Sequence, residues 1–523
     1  MTFISAAWGW IKRIFAALLP FQKGIGLSPW VRWVIWIVLD VAVIALLYLL
    51  NIKSPLANYL PNVWPEFRDW YLPTLGQLLI FMGVVLYWLY VLWFAEPEDS
   101  PFLDIDAAWQ EATKALDDAG IRLTRVPIFL VLGRPCTSEA NLFDAAGLKL
   151  AVKQTPADPR APLHVFAERE AIYVTCRGAS VLGKLAGILA REEAPRTPLR
   201  EESSINPGAT EVPWKKEDLL LQEKVRAAEG REATTLEKRV MYRSSVGKPL
   251  GADFLANAKD VAMQKARLAH LCRLIVRDRL PHCAANGVLV LIPVASTDTP
   301  GEAEVTAQAC KEDLETARRE MKLDCPVLSL VVDAEELPGF ADFVQRQTAK
   351  QLKHRRGSGF PMATRMERKE LLKEVRNSLT WVCSTYLQDS IYDVFQHETA
   401  TNMDVAPLFP GNARLVLLLA EINDRADALV TIVEHAMLSQ EKHPFRYTGC
   451  YLAATGGAGN QAFVSGVFEK LSKEQSSVTW TPAAKQEDAE GHSWANFYFM
   501  AAAVLFLGWC VLLAYGIYSA MRG

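Results

Sequence analysis

Between Pro127 and Phe143 the chain carries the remains of a loop built to hold phosphate. Pro127-Ile-Phe-Leu-Val-Leu-Gly133 reads as a buried strand. It runs into Gly133-Arg-Pro-Cys-Thr-Ser138-Glu139-Ala140 and then the apolar helix start Asn141-Leu-Phe143. A working loop is G-x-x-x-x-G-K-[ST] between a strand and a helix. Its backbone N–H groups cradle phosphate, its lysine neutralises it and its hydroxyl meets the metal. Here Gly133 survives, but Ser138 replaces the second glycine, Glu139 the lysine and Ala140 the hydroxyl residue. A carboxylate at contact distance repels phosphate by about 1–4 kcal/mol per charge pair. These residues predict a nucleotide-type scaffold stripped of its chemistry, with no catalytic residue, cofactor or metal. The alternative is weak nucleotide binding through Gly133 and backbone N–H groups, or through Arg134.

Other reactive side chains are scattered. Nine cysteines form no C-x-x-C pair and eight histidines no H-E-x-x-H or comparable ligand spacing, so neither a zinc site nor a disulfide framework is indicated. The histidines, His164 among them, read as surface or satisfied core residues. Asp40 falls at the middle of an apolar run, where a charged carboxyl is expensive. It is either a proton-coupled or gating acid, or a protonated group hydrogen-bonded across the helices, to Tyr87 or Trp509. Lys353-His-Arg-Arg356 with Arg365, Arg368 and Lys369 is a basic stretch, read as a solvated face or as a contact for anionic lipid or an acidic partner.

The elements that position these groups follow from periodicity. The chain has 523 residues and a net charge of −3, so it exceeds one core and shows no basic excess for nucleic acid. Val31–Leu50, Leu75–Ala95 and Phe497–Tyr518 are long and apolar enough to span a bilayer. The apolar run starts late and lacks a cleavage site, so no signal peptide is expected. Lys12, Arg13, Lys23 and Arg32 place the N-terminus in the cytoplasm. The domains expected are a leader over 1–30, a membrane hairpin over 31–95, and a cytoplasmic α/β domain over 96–340 with a charged insertion near 192–248. A mostly helical extension over 341–495 and a last span over 497–518 complete the chain. Within the α/β domain, strands are expected over Ile121–Leu132, Leu148–Val152, Leu163–Ala167, Ala171–Thr175, Asn286–Ile292 and Pro326–Val332. Helices between them make the sheet parallel and covered on both faces. Phe445–Thr455 returns to strand, Gln461–Leu471 to helix, and Lys473–Ser493 reads as a polar tether.

This order of parts resembles the IcmF/TssM family, inner-membrane proteins of type VI secretion systems. Pro127–Gly133 with Leu142-Phe143 is similar to the family's strand and phosphate loop. Glu170-Ala-Ile-Tyr-Val-Thr-Cys-Arg-Gly178 resembles its A-V-hydrophobic-hydrophobic-D-T-A-G segment, and Pro281–Leu291 its P-x-N-G strand. Cys325–Phe340 resembles P-V-Y…T-K-x-D…P-G-F, and Arg446–Thr455 resembles R-G-x-Y-F-T-S. The resemblance implies a membrane-anchored P-loop GTPase-like parallel sheet with a helical extension and three transmembrane helices. It also places the departures. Thr175 stands at the metal-contacting acid, Asp333 at the base-recognition lysine and Glu335 at its acid. Phosphate, magnesium and base contacts are each lost, so a pseudo-GTPase is expected. The chain stops at Gly523, short of the family's periplasmic region, so bridging of the envelope is expected from another chain. The resemblance further implies an inner-membrane location with a periplasmic C-terminus and a hetero-oligomeric complex with a TssL/DotU-like subunit and baseplate proteins. The rival readings are a divergent NTPase driving assembly and a proton-coupled component using Asp40.

Overall fold

The computed structural model describes residues 29–53, 69–94, 101–191, 249, 251–360, 368–400, 409–438, 445–457 and 459–522. The N-terminal leader, Pro55, Pro61 and Pro65 of the outer loop, the 192–248 insertion and Arg365 lie outside them. The chain divides into two compact units, residues 1–98 with 485–523, and residues 99–484.

In the first unit, α1 (Pro29–Lys53) and α2 (Tyr71–Phe94) form a hairpin. Gly76 lets the two approach, since a Cβ there would collide with the Leu47 side chain. Tyr71 Oη donates to the Leu512 carbonyl at 2.7 Å, joining α2 to the C-terminal helix Pro482–Arg522. Two described helices are long and apolar enough to cross a membrane, over Tyr71–Leu89 and Pro482–Tyr518. The Val31–Leu50 run lies within α1. The expected tether over Lys473–Ser493 is instead helical from Pro482 onward.

The second unit is an α/β sandwich. Its elements begin with α3 (Leu103–Asp118), β1 (Ile128–Leu132), α4 (Glu139–Ala146), β2 (Val152–Thr155), β3 (His164–Ala167), β4 (Ile172–Thr175) and α5 (Val181–Arg191). Next come α6 (Ala258–Arg279), β5 (Gly287–Pro293), α7 (Pro300–Met321), β6 (Leu323–Asp324), β7 (Pro326–Val332) and β8 (Arg356–Gly359). Then follow α8 (Arg368–Trp381), α9 (Leu387–Ala400), α10 (Phe409–Asp424), α11 (Ala426–Met437), β9 (Arg446–Leu452), β10 (Ala454–Thr455), β11 (Gln461–Ala462), α12 (Ser465–Glu474) and β12 (Thr479–Trp480). One eight-stranded sheet runs β2-β3-β4-β1-β5-β7-β9-β8. The centre, β4-β1-β5-β7-β9, is parallel, and the flanking pairs are antiparallel. The central strands β1, β5 and β7 are buried throughout, which is why they read as continuous apolar runs. On one face α4 and α12 pack Phe143 and Phe468 against Phe129 and Tyr173. The other face carries the larger core, from Trp109 of α3 to Val433 of α11.

Several boundaries differ from expectation for identifiable reasons. β1 starts at Ile128, not Ile121, because the buried Arg279 guanidinium bonds the carbonyls of Leu123 (2.7 Å) and Val126, holding the preceding segment in turns. The strand expected over Leu148–Val152 begins only at Val152. The helical periodicity of Ala252–Arg279 is interrupted at Asn257, whose side chain caps α6 by accepting from Lys259 N. Gln461 and Ala462 pair with β10, so the following helix starts at Ser465. β8, within the stretch expected to be mostly helical, is an edge strand of the main sheet, while β9 and β10 fall inside the strand expected over Phe445–Thr455. Between α8 and α9, Val382–Tyr386 forms a π-helical turn.

Candidate functional site

The loop after β1 sits where the strand-loop-helix reading places it. Gly133 has φ +83°, and a Cβ there would lie 2.5 Å from the Leu291 carbonyl oxygen, so only glycine fits. Ser138 is the N-cap of α4 and its Oγ accepts from Ala140 N at 3.3 Å. Ser138 therefore does a cap's work where a phosphate loop has glycine.

Glu139, at the lysine position, points inward and is 4% exposed. Its Oε2 accepts from Thr175 Oγ1 at 2.8 Å and meets His164 Nδ1 at 2.9 Å. Antiparallel pairing of β3 with β4 sets His164 opposite Thr175. The other imidazole nitrogen, Nε2, faces the Asp158 carbonyl at 2.9 Å. Both ring nitrogens face acceptors, which suits the imidazolium, the form that donates from both. Burial opposes the charge on His164, but the hydrogen bond and charge of Glu139 outweigh it and hold its pKa above the ordinary value. Glu139 and Thr175 are thus joined by a buried hydrogen bond, beside the buried Glu139–His164 ion pair. Glu139 Oε1 is buried with no hydrogen-bond partner among the described residues.

The opposite end of the loop is tied down by Asp333 and Glu335. Asp333 has φ +65° and is fully buried. Its Oδ2 accepts the Cys136 N–H at 2.9 Å and its Oδ1 accepts from Thr455 Oγ1 at 3.1 Å. Glu335 Oε2 accepts the Thr455 N–H at 3.0 Å, and Thr137 Oγ1 donates to the Thr455 carbonyl at 3.3 Å. Burial pushes Asp333 up to about 6 and Glu335 up to about 7, the nearby carboxylates adding to it. The Cys136 N–H, a loop donor of the kind that cradles phosphate, is taken by a side chain of the protein itself. Among the described residues no group of three or more His, Cys, Asp or Glu is placed to hold a metal.

The structure brings Glu139 and Thr175 together and joins Asp333 and Glu335 through Thr455. Asp40 belongs to the other unit, where it accepts from Gln77 Nε2 at 3.1 Å to each oxygen. Gln77, rather than the expected Tyr87 or Trp509, satisfies that carboxyl. Three contributors were not read from the sequence as parts of the site: His164, Thr455 and Asn286. Asn286 Oδ1 accepts from Ile128 N at 3.1 Å and so pins the start of β1. A buried carboxylate at a lysine position is itself the signal for a cation nearby, although its place along the chain is not given.

Residues 262–502 match the family model described as the IcmF-related N-terminal domain. That span contains Asp333, Glu335 and Thr455 and follows Gly133, Glu139 and Thr175 in the chain. No curated protein and no solved structure matches the chain. β5, β7, β8, β9 and the helical elements between β8 and β9 lie within that span while β1 and β4 precede it, so residues 262–502 carry the IcmF-related N-terminal domain.

Proposed function

We propose that the chain is a non-catalytic inner-membrane scaffold of a type VI secretion-like complex, and that residues 96–340 form a pseudo-GTPase module used as a docking surface. The observation that carries this reading is the Glu139–His164–Thr175 cluster, which fills the lysine and metal positions with an internal ion pair. Phosphoryl transfer is mostly positioned charge and preorganised donors, and here the charge is of the wrong sign. Family membership supports a secretion-system complex at the inner membrane. The three-span topology, the cytoplasmic N-terminus, the periplasmic C-terminus and the TssL/DotU-like and baseplate partners belong to the same proposal.

Two experiments test it. Mg-GTP and Mg-ATP titrated into the full chain in detergent micelles give no saturable heat and no hydrolysis above background. A turnover abolished by a substitution at Gly133 sinks the non-catalytic reading. Crosslinking in native membranes followed by mass spectrometry recovers TssL-like or baseplate subunits. Recovery of the chain alone, or with unrelated transporters, sinks the scaffold assignment.

A further inference from the structure

Tyr451 of β9 is 2% exposed, and its Oη has no hydrogen-bond partner among the described residues. Burying an unpaired hydroxyl is unfavourable, so its surroundings matter. Two cations flank the ring. The Arg355 guanidinium carbon lies 5.8 Å from its centroid and the Lys470 ammonium 5.7 Å. The hydroxyl and the ammonium both lie against Gly359, where a Cβ would stand only 3.0 Å from Tyr451 Oη and 3.1 Å from Lys470 Nζ. Gly359 is exposed and ends strand β8, so only its bare backbone separates the two groups from the surface there. Lys350, Lys353, His354 and Arg355 are exposed beside it in the chain. Lys470 also donates to the Thr448 carbonyl at 2.8 Å and pairs with Glu474 at 3.3 Å. Glu469 on the same helix is exposed.

We propose that Tyr451 Oη, Lys470 and Arg355 form a binding site for a phosphate-class oxyanion. The anion accepts the free phenolic hydrogen, meets the Lys470 ammonium in competition with Glu474, and is closed over by Arg355 from the surface. Charge-assisted donors of this kind make the strongest hydrogen bonds to phosphate. The site lies on β8, β9 and α12, apart from the carboxylate-lined loop after β1, and does not depend on whether that loop binds nucleotide. A free phosphate and the phosphomonoester headgroup of a lipid share this chemistry.

The test is calorimetric titration of the full chain in micelles, at constant ionic strength, with inorganic phosphate and separately with dihexanoyl phosphatidic acid. At least one probe binds saturably. Tyr451→Phe leaves the thermal midpoint unchanged or raised, because it removes only an unpaired hydroxyl, and weakens that probe about ten-fold. Arg355→Ala weakens it by about ten-fold or more. Tighter binding of the lipid assigns a headgroup as the source, and tighter binding of inorganic phosphate assigns a free anion. Absence of saturable binding by both probes, or affinities unchanged in both variants, overturns the site.

Discussion

The two ends of the loop after β1 bury carboxylates in opposite ways. Glu139 lies against a cation, and its partner His164 is held charged by it. Asp333 and Glu335 lie against neutral donors and are pushed toward protonation. An ion buried with its counter-ion is a commitment, because removing either partner strands the other. An ion buried among N–H and O–H groups is adjustable, because a proton relieves it. The loop is thus fastened by a charge pair at one end and by titratable hydrogen bonds at the other.

The largest expected effect breaks the first fastening. Glu139→Ala leaves His164 buried without its counter-ion and lowers unfolding stability by about 3–5 kcal/mol, measured by denaturant titration of the full chain in micelles. The double substitution Glu139→Met with His164→Leu removes both charges and recovers most of that loss. A double variant as unstable as the single one would show that the charge pair is not what the site depends on.

A pH series separates the two ends. Asp333 at about 6 and Glu335 at about 7 lie above the ordinary carboxylate range of about 4, so between these values the folded protein holds protons that the unfolded chain has released. Their stabilising contribution is present below about pH 4 and is lost as pH rises through about 6 and 7. His164 behaves alike. Its raised pKa gives stability that is complete below about 6.5 and disappears as pH rises through the folded value. Asp333→Asn with Glu335→Gln removes the carboxylate contribution to the profile, and the Glu139/His164 double variant removes the imidazole contribution. A profile unmoved by both pairs of changes removes the distinction between the ends.

Asp333→Asn alone, at neutral pH, costs about 1 kcal/mol or less, because an amide oxygen can still accept the Cys136 N–H. The smallest effect is expected far from this loop. Asp40→Asn preserves a hydrogen-bonding group opposite Gln77 and changes assembly in native membranes little. Normal assembly with lost function would instead favour proton coupling at that residue.

The strand and helix around Gly133 were legible because each has a local cause, an apolar run and an apolar helix start, whereas the cap that Ser138 supplies emerges only in the structure. The sequence displays the carboxylate at Glu139 but not its partner, since His164 reaches Glu139 only through the antiparallel pairing of β3 with β4. Thr455 stands 122 residues beyond Asp333 and meets it only because β7 and β9 are neighbours in the sheet. Arg279 likewise turns the lead-in to β1 away from strand geometry from 156 residues downstream. Local patterns carry the elements, while sheet order decides which of their side chains meet.

The π turn at Val382–Tyr386 answers a problem of phase. Leu371, Val375, Leu379, Cys383, Leu387 and Ile391 are all buried and recur every fourth residue. On a helix of 3.6 residues per turn, steps of four advance the contact line by about 40° each. Over the whole series the line would swing from the core to solvent. A wide turn near the middle of the series unwinds part of that drift and keeps both halves inward. The wide turn thus lets two successive helical segments present one continuous apolar line to the same core.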